Sequence, residues 1–217
     1  MTFRDRREAG RKLGDALGDY RGKNVIVLAL PRGGVPVGAE VASALDAPLD
    51  VLLVRKIGVP WQPELAMGAV IDGAEPVIVR NEDIIELSGV SEEDFAAASR
   101  AQLREIEHRR QRFTGNRARA DVADRTAIIV DDGIATGATV RAAIRGLRRD
   151  KPERIVLAVP VAPPSTVEEL RDEVDDVVCL ETPAAFRAIS LYYREFNQVS
   201  DDEVARVLAG SGVGQAG

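Results

Sequence analysis

The densest chemistry in the chain lies between Thr126 and Thr139, where the apolar run Ile128, Ile129, Val130 leads into Asp131, Asp132, Gly133, Ile134, Ala135, Thr136, Gly137, Ala138 and Thr139. Adjacent ionised carboxylates are pure hydrogen-bond acceptors and suit the hydroxyls of a ligand. The small residues that follow let backbone N–H groups approach a ligand closely, and two threonines add hydroxyls. A helix beginning in this turn leaves its first N–H groups unpaired at the positive end of its dipole, a ready site for a phosphate. Acids followed by a phosphate cradle imply a ligand with both hydroxyls and a phosphate.

Three further groups of residues could contribute. Pro31, Arg32, Gly33 and Gly34 form a glycine loop with one fixed cation, which reads as an anion site or as plain tight-turn geometry. Arg55 and Lys56 stand at the end of an apolar run, either facing an anion or simply exposed. Trp61 and Glu64 sit in a stretch, 57–66, whose two prolines and glycine make it a loop. That loop reads as a lid over a ligand or as a hairpin connection. Phe186, Tyr192, Tyr193 and Phe196 gather four of the chain's nine aromatics into one segment that could stack on a planar heterocycle, pack a core or make a dimer contact.

These residues need a scaffold, and the hydrophobic pattern supplies one. Residues 24–30, 49–54, 126–130, 154–160 and 176–180 are short β-branched or aliphatic runs of the kind buried on both faces of a parallel sheet. Further strands are expected near 67–71 and 76–79. Between them run helical patterns: Leu13 and Leu17, ending near Gly18 or Gly22; Val37, Val41 and Leu45; Val140, Ile144 and Leu147; a helix from Ser165 capped by Glu168; and one from Ser200 ending near Gly210, before a glycine-rich tail expected to fray. A long helix is expected from Ser91 to about Phe113, with Phe95, Leu103, Ile106 and Phe113 on one face and Ser91 with Asp94 as a capping box. Its basic end, with His108, Arg109, Arg110 and Arg112, reads as a solvated face complementing the dipole. Alternating strands and helices imply an α/β fold with an open, mainly parallel twisted sheet covered on both faces. In such a sheet ligands sit beyond the strands' carboxyl ends, where loops 31–34, 55–66 and 131–139 converge.

The totals narrow the classes. Of the 217 residues 45% are hydrophobic, which is ordinary for a packed domain. The lone Cys179 rules out a disulfide framework within the chain and suits a buried thiol in a reducing, cytoplasmic setting. No apolar run approaches a membrane span, and the charged start lacks a signal peptide's apolar core. A net charge of -6 makes duplex nucleic acid a poor partner. The chain has no Gly-Lys-Ser/Thr P-loop, and Gly133 stands where a haloacid-dehalogenase-type motif needs its second aspartate.

An apolar strand, two acids and a turn ending Ala-Thr-Gly-x-Thr resembles the phosphoribosyl diphosphate signature of type I phosphoribosyltransferases. Loop 31–34 resembles that family's diphosphate loop, and Arg55 with Lys56 its cationic strand end. The resemblance implies a single domain over 1–217: a core of about 24–180, a helical insertion of about 81–115 and a C-terminal hood of about 181–210. It implies transfer of a 5-phosphoribosyl group from magnesium-bound phosphoribosyl diphosphate to a nitrogen nucleophile, nucleobase-like, through an oxocarbenium-like transition state with inversion at C1. Asp131 and Asp132 would take the ribose hydroxyls, and Ala135, Thr136, Gly137, Ala138 and Thr139 the 5-phosphate. Arg32, Gly33, Gly34, Arg55 and Lys56 would take the diphosphate, with Mg²⁺ bound mostly through water and ligand oxygens and no protein cage. Arg32 and Lys56 would thereby join the acids in catalysis. Glu64, Tyr192 and Tyr193 are candidates to meet the acceptor, and a homodimer is possible. Ala135 stands where several enzymes acting on 6-oxopurines carry an aspartate, which argues against hypoxanthine or guanine. Some proteins resembling the family keep the site yet act as regulators, so a phosphoribosyl diphosphate sensor is the competing expectation.

Overall fold

The computed structural model describes residues 2–73 and 75–211; the glycine-rich end lies, apart from Ser211, outside the described residues. Five strands form one all-parallel sheet: β1 (Val25–Ala29), β2 (Leu49–Val51), β6 (Thr126–Val130), β7 (Arg154–Val161) and β8 (Asp176–Glu181), in the order β2-β1-β6-β7-β8. The order reverses between β1 and β6. That reversal opens a crevice at the carboxyl ends of these two strands, and the loops leaving both of them meet there.

Successive side chains of each strand enter opposite layers, as the two-residue period of a strand requires. Val25, Val27, Ile128, Val130, Val156 and Ala158 face a layer containing α1 (Arg6–Ala16), α2 (Gly34–Leu45), α4 (Glu92–Thr114) and α7 (Asp201–Gly210). Ile26, Leu28, Ala127, Ile129, Ile155 and Leu157 face α5 (Ala138–Leu147) and α6 (Pro164–Arg171). Burial on both faces explains why these strands read as continuous apolar runs.

A second, three-stranded antiparallel sheet, β3 (Val54–Val59), β4 (Gln62–Ile71) and β5 (Val77–Arg80), corrects two sequence expectations. The expected strand 49–54 stops at Val51, and Arg55 and Lys56 lie inside β3 rather than at a strand end. The expected loop 57–66 is most of the β3–β4 hairpin. Its prolines are accommodated because Pro60 sits in the turn and Pro63 in a stretch where the register slips between Val59↔Gln62 and Gly58↔Ala66.

The helix ends obey simple chemistry. Ser91 caps α4, its hydroxyl accepting from Asp94 N at 3.1 Å, and Ser200 caps α7 in the same way from Glu203 N at 3.1 Å. A helix α3 (Glu82–Ser88), capped by Asn81, precedes α4 within the span expected to be a helical insertion, 81–115, where the sequence pattern marks only the longer helix. The expected Ser165/Glu168 cap is absent: α6 starts at Pro164 behind Pro163 with no side-chain cap, since a proline fixed near φ −65° and lacking an N–H suits the first helical position.

The basic end of α4 is only partly solvated. His108 is exposed, but Arg110 is buried. Its Nη2 donates to Asp50 Oδ2 at 2.7 Å and its Nη1 to Asp72 Oδ2 at 2.9 Å. Arg117 and Arg119 add further bonds to the same two carboxylates. Arg112 pairs with Asp201 and Asp202 of α7.

Candidate active site

Loop 31–34 and the end of β6 are in direct contact, and the two glycines are what permit it. A Cβ on Gly33 would lie 2.0 Å from Asp132 Oδ2, and one on Gly34 would lie 2.6 Å from Val130 O. The loop is a tight turn, closed by Gly34 N donating to Leu30 O at 3.0 Å, and Leu30 N ties it to Val130 O at 2.8 Å. The glycine pair thus brings the cation loop onto the acid pair. Arg32, about one-third exposed, pairs at 3.6 Å with Asp201 in the first turn of α7.

The two acids are not equivalent. Asp132 is buried, and its Oδ2 accepts from Arg6 Nε at 2.7 Å. Asp131 is partly exposed, with its Oδ1 accepting from Asp132 N at 2.8 Å. Burial, and then the neighbouring charge of Asp132, push the Asp131 carboxyl well above the usual carboxylate range. Arg6 is itself held from three sides: by Asp132, by Asn197 O at 2.7 Å and by the ring of Phe196, whose centroid lies 3.9 Å from the guanidinium. Nothing local in the sequence marks Arg6. Gly10 and Gly14 allow its position, because any Cβ there would meet Val37 O at 2.6 Å and Ala44 Cβ at 2.6 Å, so α1 lies close on α2.

The turn after the acids leads into an uncapped helix start. Gly137, at φ +75°, ends it, and α5 begins at Ala138 with no side-chain cap, so its first N–H groups have no helical partner. Thr136 and Thr139 are exposed. Two residues outside the motif fix the turn: Thr166 donates its hydroxyl to Ala135 O at 3.0 Å, and Arg141 Nη1 donates to Thr136 O at 2.9 Å. Arg141 is anchored in turn by Glu169 and Glu173. Neither Thr166 nor Arg141 stands out in sequence, since each acts through a backbone carbonyl.

The remaining expected residues divide. Alternation along β3 sends Arg55 and Lys56 to opposite faces. Arg55 lines a cavity of about 200 Å³ with Leu30, Pro31, Arg109 and Thr139, whereas Lys56 pairs with Glu64 across the hairpin at 3.2 Å. Glu64 is 97% exposed. Tyr193 is not an open platform, which corrects its expected role toward the acceptor: its ring is buried against Phe3 and Phe196, and its hydroxyl donates to Asp132 O at 2.6 Å. Burial, and the charge of Asp132, push that phenol's pKa up. Tyr192, half-buried, stacks on Phe186 with ring centroids 5.7 Å apart. Cys179 is partly buried, and burial pushes its thiol up to about 11, which suits an unreactive group. No helix among the described residues is long and apolar enough to cross a membrane.

Two acids, a glycine loop and an uncapped helix start thus meet where the order of the parallel sheet reverses. The chain belongs to the family of the phosphoribosyl transferase domain, whose model matches residues 6–195. It is 50% identical over 206 residues to provisionally named phosphoribosyl transferases of two Mycobacterium tuberculosis strains, covering 95% of this chain and 46% of each of theirs. The chain thus spans about half the length of these relatives. The crystal structure of TT1426 from Thermus thermophilus is similar at 40% identity with a TM-score of 0.80, over 97% of this chain and 99% of that one.

Proposed function

We propose that the protein transfers the 5-phosphoribosyl group of magnesium-bound phosphoribosyl diphosphate to a nitrogen nucleophile, releasing diphosphate. The observation that carries this reading is the contact of Gly33 and Gly34 with the acid end of β6, which sets a cation loop, two carboxylates and an open helix start around one crevice.

In this reading the 5-phosphate lies on the N–H groups and hydroxyls of Thr136 to Thr139. Asp131 accepts hydrogen bonds from the ribose hydroxyls, and Asp132, steadied by Arg6 at its carboxylate and by Tyr193 at its backbone carbonyl, completes the acid end. The diphosphate lies along Gly33, Gly34 and Arg32, with Lys56 reaching it only on leaving Glu64. Asp131, partly exposed beside the glycine loop, is the carboxylate that would meet a magnesium ion carried on the ligand's oxygens. Bound there, the ion would neutralise the departing diphosphate. The residues do the rest by positioning: the N–H groups hold the 5-phosphate, fixed carboxylates favour positive charge developing at C1, and a nucleophile from the opposite face inverts it. On the acceptor side Tyr192, stacked on Phe186, is the ring available to a planar base.

Incubating the protein with Mg²⁺, phosphoribosyl diphosphate and a panel of nucleobases, with ³¹P NMR detection, tests the reading. Base-dependent release of diphosphate is the expected result. Tight binding without release for any base would identify a phosphoribosyl diphosphate sensor instead.

A further inference from the structure

The long helix α4 lies outside the crevice loops, yet one of its side chains reaches the crevice. The cavity beside Pro31 is walled by Leu30 and Pro31, where the glycine loop begins, and by Thr139 of the phosphate turn. Two guanidinium side chains line it from different elements, Arg55 from β3 and Arg109 from α4, and among the described residues no acidic side chain does.

Both guanidiniums are held at Nε by residues of α4. Gln102 Oε1 accepts from Arg55 Nε at 3.2 Å, and Glu105 Oε1 accepts from Arg109 Nε at 2.7 Å. Gln102, Glu105 and Arg109 stand at i, i+3 and i+7 and therefore share one helical face. Holding a guanidinium at Nε leaves its Nη fork for a planar anion. The next residue, Arg110, fixes the rotation of the helix: it is locked to Asp50, Asp72 and, at 3.3 Å, Val51 O. Its neighbour in sequence, turned about 100° around the axis, is thereby aimed at the cavity.

We propose that Arg109 contacts the diphosphate of the donor, so that α4 supplies one half of a two-guanidinium clamp whose other half is Arg55. The proposal rests on the reading of the site given above and names a residue that the glycine loop and the acid motif do not contain. It also assigns the helix a part in binding, with Arg110 as the positioning residue for Arg109.

Calorimetry on the full chain with Mg²⁺ separates the two ends of the ligand. Arg109→Gln should weaken phosphoribosyl diphosphate and inorganic diphosphate about tenfold or more, as loss of a charge-assisted bond does, while ribose 5-phosphate stays within about twofold. Arg109→Lys should fall between wild type and Arg109→Gln, because it keeps the charge without the fork. Arg104→Gln, on an exposed position of the same helix, should leave all three ligands unchanged. An equal loss for ribose 5-phosphate, or no loss for either diphosphate, overturns the role of Arg109. Failure of the wild-type chain to bind phosphoribosyl diphosphate at all overturns the proposed function itself.

Discussion

Two clusters of aspartates and arginines in this fold are satisfied to very different degrees. Asp50 and Asp72 meet three guanidiniums: Arg110 touches both, Arg117 reaches Asp50, and Arg119 reaches Asp72. Backbone N–H groups of Val51 and Ala120 complete Asp50, at 2.8 and 2.9 Å. Asp131 and Asp132, neighbours in sequence, share one bonded guanidinium among the described residues, Arg6, and it touches only Asp132. The first cluster is a closed internal tie between β2, the end of β4 and α4. The second keeps acceptor capacity in reserve, and uncompensated charge at a crevice is where ligand chemistry is to be sought.

Mutations should separate the clusters sharply. The largest effect is expected from Arg110→Met, which leaves two buried carboxylates short of a partner and should lower unfolding stability by about 3–5 kcal/mol in urea denaturation. A loss below about 1 kcal/mol, the usual scale of an exposed ion pair, would mean that the network rearranges freely. The double change Asp131→Asn with Asp132→Asn should instead act on the ligand, weakening phosphoribosyl diphosphate by roughly 1.5–3 kcal/mol per hydroxyl bond lost. Unchanged calorimetric affinity would remove the acids from the ribose.

The smallest effect has the opposite sign. Because the folded-state pKa of Asp131 is raised, this group favours the folded state below its unfolded pKa, and that advantage is lost as pH rises through the folded one. Asp131→Asn should therefore stabilise the chain by about 0.5–2 kcal/mol at pH 7, in the usual range for a substitution that trades function for stability. The gain should vanish in acid. Asp50→Asn, by contrast, should destabilise at pH 7, and the same direction for both variants would erase the distinction between the clusters.

The same contrast explains what is legible in the sequence. The acid pair, glycine loop and phosphate turn are local strings, and the parallel strands carry their apolar runs in consecutive residues, so chemistry and scaffold both show in order. The Arg110 network joins residues 38 and 60 positions apart, and a basic helix end looks solvated until its partners are known. Arg6 meets Asp132 across 126 positions. Tyr193 sits in a recognisable aromatic segment, but whether its ring faces a ligand or the core depends on Phe3 at the other end of the chain. A hairpin connection is one reading of 57–66, but the length of its strands escapes the sequence pattern because the prolines and glycine carry the signature of a loop, while in the fold a turn and a slipped register absorb them.

The hairpin also carries an optical consequence. Trp61 is the chain's only tryptophan and stands 61% exposed at the β3–β4 turn, while the aromatic rings around the acids are tyrosines and phenylalanines. Emission excited at the red edge of the indole band therefore reports on one place, the tip of the arm that carries Arg55 and Lys56. The chain contains its own fluorophore for watching that arm as candidate ligands are added, with no label to attach.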